Sequence, residues 1–468
     1  MKEITYKSSK FLDETASYRP SLKLWPAGKD RHVHVILIAT KPDIIKQVPL
    51  YLELKKRGHC VVLGHTGQHF DENLSGGMLK EFGVEPDFNL NVRGFMHEIV
   101  SQIIGRFGYL IGELKKRDKI VIPYVHGDTT TAMAGAIAGY SHMFASVHVE
   151  AGIRTLTPDY DTCKMDPSTL RLRSAQAGSG GKLKIADIAQ WRSFLMDRNN
   201  WNRGSQEPYP EQFNTRTAET ATGVHLAPVD LDREFMLSEG FAEDRIFVVG
   251  NSVADATEEA LKKVNASSVF DRYPMLKDGD FVRFCIHRRE NCVSERRFRA
   301  IYDAMKGLIL DGRKVLLINM NQTKFALEKF GLQKELTKLA KDHQNFVFSD
   351  VWPEYGDVIA AMSRAAVCAT DSGSMQEEMN IMGIPCVTLR FGSDRSESVM
   401  AGGNLIAPPV DAKVIRAMID YAWDNEEMRK APKLYGKNVS KKCIDAVEKA
   451  LAKGEVFRDE ATRLGMGN

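Results

Sequence analysis

"HVHVILIATKPDIIKQVPLYLELKKRGHCVVLGHTG", residues 32–67, decides the fold. Its opening run is continuously apolar, as expected of a strand buried on both faces. "DIIKQVPLYLELKKRG" then changes to helical spacing and stops at Gly58, and "HCVVLGHTG" reads as a second strand. The unit recurs as the strand "KIVIPYVHGD", the helix "TTTAMAGAIAGYS" and the strand "FASVHVEAG". Strands alternating with helices predict a parallel sheet covered on both faces.

A second series follows: "RIFVVGNSVADA", "FVRFCIHRRE", a helix from about Ser294 to Leu310, then "KVLLINM", "NFVFSD", "AAVCATDSG" and "PCVTLR". The expected class is α/β, with two doubly wound, Rossmann-like domains whose parallel sheets face each other across a cleft. The boundaries read as an N-terminal extension 1–30, a first domain 31–250 carrying an insertion at 156–208, a second domain 251–435, and a helical tail 436–468. The tail could pack on either domain. The insertion shows no clear period and is too long for an ordinary connection; a functional lid, an oligomer contact and a plain surface insertion all stay open.

With 468 residues the chain exceeds the size at which single cores stop growing. Its charged fraction is 27% with a net charge of +3, and no long basic stripe predicts a nucleic-acid partner. Seven cysteines form no CxxC pair, and those at 60, 285, 368 and 386 lie in apolar runs, which suits a reducing, cytoplasmic protein. The N-terminus lacks the apolar stretch of a signal peptide, and no run of about 18 apolar residues predicts a membrane span.

Ligands of open parallel sheets bind outside the carboxyl ends of the strands, and here those positions are polar. Lys41, Asp43 and Lys46 follow the first strand; His126 with Asp128, and His148 with Glu150, follow others. Spaced two apart, His148 and Glu150 are expected to share one side of their strand. Without a compact ligand motif these groups read as an acid/base set rather than a metal site, and any one of them alone could be a hydrogen-bonded strand end. His32 and His34 precede the carboxyl end and read as structural. "HRRE", 287–290, places an imidazole and two guanidiniums where a phosphate-bearing leaving group could be neutralised. Ser372, Gly373 and Ser374 precede a helix, whose unpaired N–H groups suit a diphosphate, although Ser374 with Glu377 also has capping-box spacing. No GxGxxG follows a strand and no GxxxxGK[ST] occurs, which argues against nicotinamide and ATPase chemistry.

Eight motifs together resemble one family. "HVILIATKPDIIKQVPLYLELKKRG", "GHTGQHF", "VHGDTTTAMAGAIAG", "HVEAGIRT", "PEQFNTR", "GNSVADA", "IHRREN" and "TDSGSMQEEMNIMGIPCVTLR" follow the order of the UDP-N-acetylglucosamine 2-epimerase family, from about His34 to Asn404 apart from the insertion. The resemblance implies a glycosyltransferase-B-type fold, a UDP-sugar substrate in the cleft, no cofactor, no metal and a cytoplasmic homodimer. It implies elimination of UDP to a 2-acetamidoglucal and re-addition with a proton delivered to the other face of C2. By position it implies catalytic roles for Asp128, Glu150, Glu211 and His287. Substrate-binding roles fall on Lys41, Lys46, Gln68, Arg154, Asn214, Arg288, Ser372, Gly373, Ser374, Glu378 and Arg395, with Lys46 near the phosphates and Glu378 on the ribose hydroxyls.

The departures are specific. Lys41 replaces an arginine, keeping the charge but losing a bidentate contact; Asp43 replaces a glutamate; Ser374 stands where a second glycine is expected; Phe70 replaces a common arginine. An excess of about 45 residues lies between Arg154 and Pro210, far beyond ordinary loop lengths. It predicts a changed sugar pocket more than a changed UDP pocket, with UDP-N-acetylglucosamine or a diacetamido or uronic relative as substrate. A hydrolysing epimerase, a UDP-sugar glycosyltransferase and a non-catalytic sensor are the competing readings.

Overall fold

The computed structural model describes residues 17–18, 31–67, 76–162, 165–166, 171–172 and 185–454. Among these the chain divides into two compact units. One runs to Ile153 and adds Phe213–Ala256 and the chain from Lys437; the other joins Arg154–Gln212 to Thr257–Gly436.

The sheet of the first unit has the order Ser17–Tyr18, Phe88–Asn89, Val61–His65, His32–Ile38, Ile120–His126, Ser146–Val149, Thr222–Ala227, Ile246–Val248. All pairs are parallel except the edge strand Ser17–Tyr18, which runs antiparallel to Phe88–Asn89. Alternate residues of His32–Ile38, namely Val33, Val35 and Leu37, pack with Ile103, Phe107, Leu110 and Ile111 of the helix Met96–Lys115. The helix Lys41–Lys56 follows the same strand and is left through Arg57 and Gly58, the latter at φ +80°, a conformation natural to glycine after a helix.

The second sheet is wholly parallel, in the order Phe346–Ser349, Lys314–Ile318, Phe281–Cys285, Val367–Thr370, Cys386–Thr388, Asn404–Ile406. The chain order reverses between Phe281–Cys285 and Val367–Thr370, and ligands of such sheets bind in the crevice beyond those two carboxyl ends. In the first unit the equivalent reversal lies between His32–Ile38 and Ile120–His126.

One segment falls differently from the sequence reading, and a second takes a place that reading left open. The described part of the insertion groups with the second unit rather than the first. Leu156 and Ser393 exchange backbone hydrogen bonds at 3.0 and 2.9 Å, Tyr160 donates to the Phe391 carbonyl at 2.6 Å, and buried Trp191 donates to the Ile406 carbonyl at 2.8 Å. The tail helix Val439–Ala452 belongs to the first unit: its first amides, Val439 and Ser440, donate to Asp255 at 2.9 and 2.7 Å, and Glu448 meets Arg57 at 2.7 Å and His59 at 2.8 Å. These links join residues far apart in sequence, so local periodicity carries no sign of them.

Candidate active site

In the first unit a buried chain of four charged side chains crosses the topological reversal. Asp43, in the first turn of Lys41–Lys56, accepts hydrogen bonds on Oδ2 from Ala39 N (3.0 Å), Thr40 N (2.9 Å) and Thr40 Oγ1 (3.0 Å). Its Oδ1 lies 2.9 Å from His126 Nδ1, and His126 Nε2 lies 2.7 Å from Glu150 Oε2. Lys46 Nζ reaches the same Glu150 oxygen at 2.5 Å. With a carboxylate on each ring nitrogen, His126 donates from both and is an imidazolium. Burial opposes that charge, but the hydrogen bonds to Asp43 and Glu150 outweigh it and raise His126 to about 9. Two cations and two anions balance, as buried charges require.

Glu150 has φ +66°, a left-handed conformation that costs a non-glycine residue about 1–3 kcal/mol and is held only where its surroundings demand it. The strand ends at Val149, and both side chains reach the same loop: His148 Nε2 lies 2.7 Å from the Gly127 carbonyl, and Glu150 bonds the neighbouring His126. Lys46, expected near the phosphates, is 1% exposed with its ammonium on Glu150, so the contact it makes here is with that carboxylate. Asp128 is half-buried just beyond the strand Ile120–His126, and its carbonyl accepts from Asn214 Nδ2 at 3.1 Å. Lys41 opens the helix; burial lowers its amine to about 8, against the opposing pull of Glu81. Gln68 and Phe70 lie outside the described residues.

In the second unit the remaining candidates converge beyond the reversal of that sheet. Asp371, fully buried after the strand Val367–Thr370, accepts from the backbone amides of His287 (2.9 Å) and Arg288 (3.1 Å) and from Asn291 Nδ2 (3.0 Å). It thereby clamps "HRRE" beside the start of the helix Gly373–Met382. Arg288 spans two carboxylates, Glu211 at 2.6 Å and Asp394 at 3.2 Å, and Arg390 binds Asp394 at 2.6 Å. Burial would raise the Asp394 carboxyl, but Arg390, Arg395 and Arg288 hold it well below the usual carboxylate range. Burial, helped by Arg288 and Arg390 and opposed by Asp371, lowers His287, so its imidazole is neutral at pH 7.

The helix start differs from the capping-box reading. Ser372 is the N-cap, its Oγ accepting from Met375 N at 3.5 Å, and Gly373 is the first helical residue. Ser374 is half-buried inside the first turn, and Glu377 is paired with Arg395 instead of reaching back to a cap. A Cβ on Gly373 would lie 3.4 Å from Arg395 Cζ and from both Asp394 oxygens, which places that guanidinium beside the helix N-terminus. Glu378 is buried and accepts from Tyr355 Oη at 3.0 Å, and Thr257 Oγ1 lies 2.9 Å from the same hydroxyl. Arg154 is buried in this unit.

Sequence reasoning does not single out Asp394, Tyr355 or Asn291 as site residues. "TDSG" places Asp371 in the loop before Ser372, but Tyr355 sits in a stretch with no motif. Among the described residues no group of three His, Cys, Asp or Glu is placed to hold a metal ion, and no helix is long and apolar enough to cross a membrane.

Two Rossmann-like units with charged groups gathered beyond their strand ends define an α/β protein with ligand sites of the kind such sheets carry at their chain-order reversals. The sequence matches the family described as UDP-N-acetylglucosamine 2-epimerase over residues 52–162 and 202–448, a match interrupted within the insertion. The chain belongs to the UDP-N-acetylglucosamine 2-epimerase family and is an isomerase. It is 27% identical to the UDP-N-acetylglucosamine 2-epimerase of Methanocaldococcus jannaschii, covering 82% of this chain and 90% of that one. Identity is also 27% to the enzyme of the same name from Bacillus subtilis, covering 84% and 88%. The crystal structure of the Methanocaldococcus jannaschii enzyme in complex with UDP-GlcNAc and UDP superposes with a TM-score of 0.70 at 25% identity, covering 89% of this chain and 99% of that one.

Proposed function

We propose that this chain interconverts UDP-N-acetylglucosamine, or a relative modified on the sugar, with its C2 epimer, without releasing free sugar. The observation that carries the reading is the cradle of the second unit. A ten-residue helix capped by Ser372 has Arg395 beside its N-terminus, and Asp371 fixes His287 and Arg288 next to it. Unpaired helix amides and guanidiniums together suit a diphosphate. Glu378, held by Tyr355, would take the ribose hydroxyls.

The C2 proton of the sugar is a poor acid, so its removal has to be coupled to departure of UDP. The cationic groups of the second unit would stabilise the leaving diphosphate. Asp128, Glu150 and Glu211 are the candidate acid/base carboxylates. Lys46 and His126 would hold Glu150 in place from two sides. Re-addition of UDP with a proton delivered to the opposite face of C2 completes the epimerisation, and no redox step is needed. Gln68, Lys41, Arg154, Asn214 and Ser374 stay in the proposed substrate-binding set. A cytoplasmic homodimer is part of the same reading.

Proton NMR in D₂O tests it. The H2 signal of UDP-N-acetylglucosamine should be lost by exchange as the manno epimer appears, and transfer of the sugar to an added acceptor without exchange would overturn the proposal. Asp128→Asn, Glu150→Gln and Glu211→Gln should each slow exchange by about 10²-fold or more. A substitution that leaves the rate unchanged removes that residue from the acid/base set.

A further inference from the structure

The second unit holds a cavity of about 310 Å³ that none of the steps above uses. Half of its lining is supplied by the insertion and its flanks, through Thr155, Thr157, Ser205 and Glu207, and the other half by Arg297, Arg390, Phe391 and Gly392. Its walls are built and specific. A Cβ on Gly392 would meet the Leu156 carbonyl oxygen at 2.5 Å and Thr157 Oγ1 at 3.0 Å, so only glycine admits the strand-like pairing of Leu156 with Ser393 that closes one side. Tyr160 fixes the same loop through the Phe391 carbonyl.

The lining chemistry is selective. Arg297 lies over the Phe391 ring at 4.8 Å, and both its terminal nitrogens are 3.4 Å from one Glu207 oxygen. That is long for a guanidinium–carboxylate contact, ordinarily about 2.7–2.9 Å, so a ligand carboxylate can replace Glu207 at shorter range. Arg390 lies deeper and is tied to Asp394, which Arg288 links to Glu211. Thr155, 2% exposed, has its amide on Gln212 at 3.2 Å, while its Oγ1 is buried with no hydrogen-bond partner among the described residues. A buried hydroxyl without a partner is costly unless a bound group satisfies it.

We propose that this cavity binds a single pyranose ring bearing a carboxylate. Its volume is at the lower end of small-molecule pockets, about 300–1,000 Å³, enough for one substituted ring and too small for a nucleotide. Arg390 is matched by Asp394, so the guanidinium open to a monoanion is that of Arg297, once the ligand takes the place of Glu207. Three hydroxyl side chains match sugar hydroxyls, and the Phe391 face offers a surface for sugar C–H groups. The carboxylate can belong to the sugar of the UDP-sugar substrate, an arm that rests on the epimerase reading above, or to a separate uronic acid.

The test compares wild type with Arg297→Ala and Arg297→Lys, the lysine keeping the charge without the bidentate fork. Binding of D-glucuronate is measured by calorimetry with and without saturating UDP. kcat/KM is measured for UDP-N-acetylglucosamine and for its C6-carboxylate analogue. If the ring belongs to the substrate, the analogue is preferred and Arg297→Ala removes about 10- to 100-fold of its kcat/KM while UDP-N-acetylglucosamine changes little. If the ligand is separate, D-glucuronate binds beside UDP and Arg297→Ala abolishes that binding. Thr155→Val, nearly isosteric, should weaken whichever ligand binds. The proposal is overturned if Arg297→Ala, still binding UDP normally, alters neither measurement, or if wild type shows neither preference nor binding. Turnover of UDP-N-acetylglucosamine by wild type in the same preparation tests the epimerase reading separately.

Discussion

Replacing His126 by glutamine should erase a defined pH dependence of stability in the first unit. His126 is raised from its ordinary 6.5 to about 9 by Asp43 and Glu150, against the cost of burial. An unfolded His126 releases its proton near 6.5 and a folded one near 9, so folding takes up a proton between those values. The stabilisation is fully present below about pH 6.5, falls as the pH rises, and is gone above about 9; at about 1.4 kcal/mol per unit it amounts to about 3 kcal/mol. Lys41, lowered to about 8, works in the opposite direction as its ammonium is lost, but it is common to both proteins and cancels in their difference. The described tryptophans, 191, 201, 352 and 423, all lie in the second unit, so their fluorescence would report on the wrong part of the molecule. Hydrogen exchange of a peptide covering Ile120–His126, corrected for intrinsic rates, reads the correct one. Wild type should lose about 3 kcal/mol of protection relative to His126→Gln between pH 6.5 and 9.5. Parallel pH profiles for the two proteins would refute the doubly hydrogen-bonded imidazolium.

Tyr355→Phe removes the hydroxyl that holds Glu378 and should weaken UDP binding about 10-fold, the worth of one hydrogen bond to a charged group, while kcat stays within about twofold. Equal dissociation constants by calorimetry would take the Tyr355–Glu378 pair out of the nucleotide site. Ser372→Ala should cost about 1 kcal/mol of stability in thermal or denaturant unfolding, because Ser372 is the N-cap. Ser374→Ala, inside the helix, should be close to neutral; the reverse ranking would restore Ser374 as the cap.

Much of the candidate site is legible because its residues sit in short motifs just past strands, where parallel sheets leave polar groups facing a ligand. Asp128, Glu150, His287 and Ser372 become candidates in this way. Their pairings are not legible. His126 lies 83 residues from Asp43, Lys46 lies 104 from Glu150, and Glu378 lies 23 from Tyr355. Hydrogen bonds at such separations leave no periodicity to read. The positive φ of Glu150 is equally illegible, because alternation describes a continuing strand and the strand ends at Val149.

By itself the sequence determined the two alternating α/β series, the polar strand ends, the family and the presence of an insertion. All of these depend on local spacing or on the order of short motifs. Only the tertiary structure decided that the insertion packs on the second sheet and the tail helix on the first unit. It also decided that Lys46 and His126 brace Glu150, and that Arg288 is shared between Glu211 and Asp394. The physical reason is burial: a charge removed from water must find a partner wherever the fold brings one, and that choice is made by packing across the chain rather than along it.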